Sequence, residues 1–178
     1  MIEMSVESIR VSMMNYQRVV ILKEKDSERY LPIWIGPAEA DAIAIKLQGV
    51  SPPRPLTHDL MESVIEILGA SIDSVVVNDL QNDTFFAKLI LGVNGEPIEL
   101  DSRPSDAMAL AIRTNAPIFI NEDVLDRAGI IIDRETGNPM PQAKSGKSEA
   151  TEEELKSLSA FNDFIDGLNL DGLDKEKE

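Results

Sequence analysis

Apolar residues fall in short, dense runs separated by polar turns, and their spacing switches between the period of a strand and that of a helix. Val19 to Leu22 and Leu31 to Ile35 flank the polar stretch KEKDSERY, which predicts two strands joined by a hairpin loop. Gly36 and Pro37 open the next element: proline costs nothing in a first helical turn, AEADAIAIKLQ is made of good helix formers, and Gly49 stops it. Thr84 to Leu91 and Glu96 to Leu100, around GVNG, predict a second hairpin, and a helix opening at Pro104 and running through ALAIR follows it directly. Between these units, the prolines of VSPPRPL lead into a helix that begins at Thr57 or His58 and carries Leu60, Met61, Val64, Ile65 and Leu68, with Gly69 ending it. Ile72 to Val77 reads as a buried strand, Pro117 to Ile120 as another, Glu122 to Ala128 as a short helix, and Ile130 to Ile132 as an edge strand.

The two hairpin-then-helix units superpose at an offset of 67 residues. Pro37 falls on Pro104, Glu39 on Asp106, Ala40 on Ala107, Ala42 on Ala109, Ala44 on Ala111 and Lys46 on Arg113. Two copies are too few for a solenoid, so the pattern predicts one pseudo-twofold domain. The fold class is α+β, with a mainly hairpin-derived mixed sheet and packed helices. Alanine at every second position lets each duplicated helix approach its neighbours closely, and both are expected to be largely buried.

The domain is expected to span residues 1–134. ETGNPMPQAKSGKSEA, residues 135–150, has no apolar period and reads as a linker. Residues 151–178 read as an acidic tail with one short amphipathic helix, where Thr151 and Glu154 match a capping box and Leu155, Leu158, Phe161, Ile165 and Leu168 recur at helical spacing.

Composition narrows the function. A chain of 178 residues can bury a core without staples, and it contains no cysteine, so disulfides and thiolate metal sites are excluded. The charged start MIEMSVESIR lacks the apolar stretch of a signal peptide or a membrane span, and a cytoplasmic protein is the expectation. The formal net charge is −15, and the residues after Arg134 are the more densely acidic part. Such a chain is not built for sequence-independent grip on phosphate backbones, which takes clustered Lys and Arg. Contact with nucleic acid has to be local or bridged by a cation.

Two segments carry candidate chemistry. In RPLTHDL, Arg54, the sole histidine His58, and Asp59 lie together near a helix start. Histidine is the usual proton carrier near neutral pH. The alternative is a plain helix entry, with Thr57 as cap, Asp59 complementing the dipole and His58 exposed. In LDSRPSD, Asp101, Arg103, Ser105 and Asp106 sit at a strand-to-helix junction. Asp101 and Asp106 can offer oxygen ligands to a divalent cation and Arg103 can clamp a phosphate. Equally, Ser105 can cap, Asp106 can offset the dipole, and Asp101 can pair with Arg103. The duplication adds that Glu39 and Asp106 are equivalent, so a pseudo-twofold axis would bring both carboxylates to one site. Phosphate loops, dinucleotide fingerprints, paired-histidine zinc motifs and nucleophile elbows are all absent from the sequence.

IWIGPAEADAIA, RPLTHDLM, FFAKLIL and LDSRPSDAMALAIR, in this order, resemble the bacterial bifunctional nuclease family over roughly Ser5 to Asp133. The resemblance implies hydrolysis of phosphodiester bonds in DNA and RNA by an intracellular homo-oligomer. Onto the matching positions it places His58, Asp59 and Asp106 as catalytic groups, Arg54 and Arg103 on phosphate, and Glu39, Asp101 and Asp106 on a divalent cation, magnesium or manganese. The second reading is a regulatory domain in which the same arginines and helix termini bind a small anionic ligand, or in which the domain binds a protein partner. It accounts better for the acidity.

Overall fold

The computed structural model describes residues 1–11, 17–25, 27–132 and 139–141. In chain order the elements are β1 Ile2–Val11, β2 Arg18–Glu24, β3 Arg29–Ile35, α1 Pro37–Leu47, α2 Thr57–Ile67, β4 Ala70–Gln81 and β5 Thr84–Val93. They continue with β6 Glu96–Ser102, α3 Pro104–Thr114, β7 Ile118–Ile120, α4 Glu122–Ala128, β8 Ile130–Ile132 and β9 Pro139–Pro141. The strands form one mixed sheet in the order β6-β5-β4-β7-β1-β2-β3-β8-β9. Every pairing is antiparallel except that of β4 with β7.

The repeated unit is larger than a hairpin and a helix. β1-β2-β3-α1 and β4-β5-β6-α3 are two three-strand meanders, each followed by a helix, and β7 joins them at the centre of the sheet. β1 lies in the segment read only as a charged chain start, although Ile2, Met4 and Val6 alternate with polar residues as a half-buried strand requires. The second hairpin turns on Asn94 and Gly95, both at positive φ, the conformation of a two-residue turn that matches strand twist. β8 is not an edge strand: β9 pairs beyond it, inside the stretch read as linker. The remainder of that linker and the tail helix lie outside the described residues.

The core sits between the sheet and α1, α2 and α3, and centres on Leu22, Leu31, Ile43, Met108, Leu110 and Ile120. The expectation of two buried helices holds for α3, where Ala107 to Ala111 are all buried. It holds only on one face of α1, where Ala40, Ala42 and Ile43 are buried. The difference follows from position, since α3 packs against α1, α2 and two strands of the sheet. α2 departs most from a core helix: Leu60, Val64, Ile67 and Leu68 remain exposed.

Candidate functional site

The site is built where the starts of three helices meet the end of β6. Pro37 and Pro104 occupy the first turns of α1 and α3, and the residues before them, Gly36 and Arg103, have matching extended backbones at φ −69 and −67. Each helix then projects an acid from its first turn, Glu39 and Asp106. These starts, that of α2 and the end of β6 enclose an open hollow of about 970 Å³, lined by residues that include Glu39, His58, Asp101, Arg103 and Asp106.

Glu39 and Asp106 are joined through one guanidinium. Arg103 Nε donates to Asp106 Oδ2, and its Nη2 donates to Glu39 Oε1, each at 2.7 Å. The other Asp106 oxygen, Oδ1, lies 3.1 Å from His58 Nε2. From solvent inward the order is Arg103, Asp106, His58, with side chains 68, 24 and 8 % exposed. Burial alone would push the Asp106 carboxyl up, but hydrogen bonds from Arg103 and His58 outweigh it and hold it below the ordinary carboxylate range. Asp106, with Glu39, in turn holds the Arg103 guanidinium above its ordinary value. An ionised carboxylate only accepts, so in this contact His58 Nε2 is the donor; Nδ1 is buried and has no partner among the described residues. His58 is therefore part of the network and not an exposed bystander.

Asp59 has another task. It does not line the hollow: Oδ2 accepts from the Leu56 backbone N–H at 2.7 Å, and Oδ1 accepts from Arg113 Nε at 2.7 Å. Burial tends to raise its carboxyl, and these two donors bring it below its usual value. Thr57 and Ser105, read as caps, cap nothing; the N-cap positions fall on Leu56 and Arg103, and Ser105 is buried. Arg54 is exposed in the loop before α2, with no ion pair among the described residues. Asp101 is exposed on β6 and does not pair with Arg103.

Glu39, Asp101 and Asp106 do not come together as three cation ligands. Arg103 stands between Glu39 and Asp106, and among the described residues no group of three or more His, Asp or Glu side chains is placed to hold a metal ion. This donor set does not fit a resident cation.

Arg113 is the residue the sequence reading passed over. It is buried on α3 and ties three helices together, donating to Asp59, to the Ala109 carbonyl at 2.7 Å and to the Ala42 carbonyl at 3.2 Å. The available signal was a lone basic residue in an alanine-rich helix, at the position equivalent to Lys46. Gly36 is the counterpart of Arg103, and a Cβ there would meet the Glu39 carboxylate, which would have to shift.

An α+β domain with a duplicated meander, and a hollow lined by charged and apolar side chains at the junction of its two copies, is the class that fold and site define. Residues 20–133 match the model of the bifunctional nuclease domain, and the chain belongs to that family. An uncharacterized protein of Mycobacterium tuberculosis is 43% identical over 169 residues, covering 95% of this chain and 96% of its own length. Bifunctional nuclease 1 of Oryza sativa subsp. japonica is 26% identical over 118 residues, 65% of this chain and 36% of that protein. Bifunctional nuclease 2 of the same plant is 28% identical over 118 residues, again 36% of its length. The similarity to the plant proteins thus spans about a third of each of them.

Proposed function

We propose that the domain hydrolyses phosphodiester bonds in DNA and RNA from this hollow. The observation that carries the reading is the convergence of His58 of α2 with Arg103 and Asp106 at the start of α3, on one concave surface in a chain of the bifunctional nuclease family. Asp106 is ionised at neutral pH and borders the hollow, so it takes the proton of the attacking water; His58, from behind, holds the carboxylate in place. Arg54, exposed in the loop before α2 and next in sequence to Pro55 of the hollow's lining, holds a phosphate. Asp59 serves the reaction at one remove, by fixing the turn that carries His58. A magnesium or manganese ion belongs to the proposal only as a partner brought by the phosphates of the nucleic acid.

The regulatory reading has one observation in its favour. Asp106 is held at low basicity, and a base well below the operating pH is a poor proton acceptor. The test is cleavage of single-stranded DNA and RNA by rigorously purified protein with magnesium, manganese or chelator, beside Asp106→Asn and His58→Ala. The nuclease reading expects wild-type turnover and losses of about 10²-fold or more in both variants. Inert wild-type protein supports the binding domain instead, and unchanged variants remove the site assignment.

Two further parts of the proposal concern context. The exposed apolar face of α2 supports self-association between copies of the chain. The absence of cysteine supports a cytoplasmic setting, and among the described residues no helix is long and apolar enough to cross a membrane.

A further inference from the structure

Arg103, a group expected to grip phosphate, already has two of its five N–H donors engaged by carboxylates. Nε serves Asp106 and Nη2 serves Glu39, and two carboxylates against one guanidinium leave the group net negative. Asp101, on the same wall, adds to that charge. A phosphate lodged against Arg103 itself, rather than one held by Arg54, meets repulsion at short range from these carboxylates.

Besides its remaining N–H groups, Arg103 offers a flat face. Its side chain is 68 % exposed while two in-plane hydrogen bonds fix its orientation, so a planar cation is presented to solvent already ordered. Guanidinium planes stack on aromatic rings, and such stacking needs no net charge on the partner. The hollow is completed by apolar surface from Met61, Leu89 and Leu100, of which Met61 and Leu100 are exposed. A planar cation beside an apolar wall, with phosphate disfavoured at the arginine itself, describes a seat for a nucleobase.

We propose that the hollow receives an unpaired nucleobase, stacked on the Arg103 guanidinium and bordered by Met61 and Leu100. The inference rests on the reading of this site as a nucleic-acid site, and it specifies which part of the ligand is gripped. A base inside a duplex stack cannot present its face, so the site takes single strands or extruded bases. It also resolves the conflict between a nucleic-acid ligand and a chain of net charge −15, because the base contributes the local affinity without phosphate neutralisation.

The test uses the full chain and 2-aminopurine riboside, an uncharged fluorescent base, in the presence of chelator. Saturable quenching is expected, changing less than about twofold between about 50 and 200 mM salt because no counterions are released. Inorganic phosphate should not displace the probe. Arg103→Lys keeps the charge and loses the plane, and it should weaken binding about tenfold, as Arg103→Ala does. Full affinity in Arg103→Lys, displacement by phosphate, or absence of binding to the wild type overturns the proposal. Leu100→Ala, outside the ion-pair network, supplies a second arm if the Arg103 variants misfold: several-fold weaker binding supports the seat, and wild-type affinity removes it. Cleavage is read separately. Base binding without any cleavage sinks the nuclease reading and leaves the seat standing, while cleavage without base binding does the reverse.

Discussion

Arg113 Nε donates to Asp59 Oδ1 at 2.7 Å, and this one bond locks the start of α2 onto the buried body of α3. Arg113 also satisfies two backbone carbonyls, so its loss strands several polar groups at once. Arg113→Met should therefore lower stability by about 3 kcal/mol, the range found when one partner of a buried ion pair is removed. Urea unfolding followed by far-UV circular dichroism checks it. A loss below about 0.5 kcal/mol would mean that the helices hold together without this anchor.

Asp59 and Asp106 share a pH dependence. For both, burial acts to raise the carboxyl and donors more than offset it, so each folded-state value lies below the ordinary 3.8. The unfolded chain thus binds more protons in this window. The stabilisation these groups supply is present above about pH 4 and is lost as pH falls through their folded values. Urea midpoints recorded downward from pH 5 should drop in the wild type and drop less steeply in Asp59→Asn and Asp106→Asn; parallel curves for all three would refute the assignment.

Removing Arg103 exposes the opposing terms at Asp106. With the guanidinium gone, burial is countered by His58 alone, and Glu39 becomes an unshielded like charge nearby. The Asp106 carboxyl in Arg103→Ala should titrate at higher pH than in the wild type, as read from carboxyl carbon chemical shifts. The stability change should stay within about 1 kcal/mol, because the arginine is largely solvent-exposed. An unmoved titration would show that Arg103 does not set the state of Asp106.

The apolar face of α2 makes a separate prediction. Ile67 is 83% and Leu68 77% exposed, and Leu60 and Val64, at helical spacing from them, are exposed as well, the kind of apolar face that marks an interaction surface. Light scattering should find the wild type larger than one chain, and Val64→Lys combined with Ile67→Lys should shift it towards monomer. A monomeric wild type removes self-association from the proposal.

Much of this was legible in the chain because it was written in local patterns. The hairpins declared themselves through apolar runs and turn residues, and the equivalence of Glu39 with Asp106 followed from matched prolines, the shared alanine spacing and the hairpins that precede both helices. What sequence did not reveal was which donor each carboxylate would find. Asp59 and Asp106 are both first-turn acids, yet one faces Arg113 inside the protein and the other faces the hollow, a distinction set by how α2 crosses α3. Asp101 and Arg103 are two positions apart and do not pair, because the strand ends between them and the arginine reaches across to the other repeat. β9 escaped notice since PMP carries no strand period at all.

The counterpart of Arg103 in the first repeat is Gly36. A dyad that kept the same residue at both places would present a mirrored cradle, and a chain-like ligand could lie in it in either of two directions with equal energy. One arginine facing one glycine removes that degeneracy. The two ends of the hollow therefore differ in charge and in shape, by the difference between a side chain and its absence.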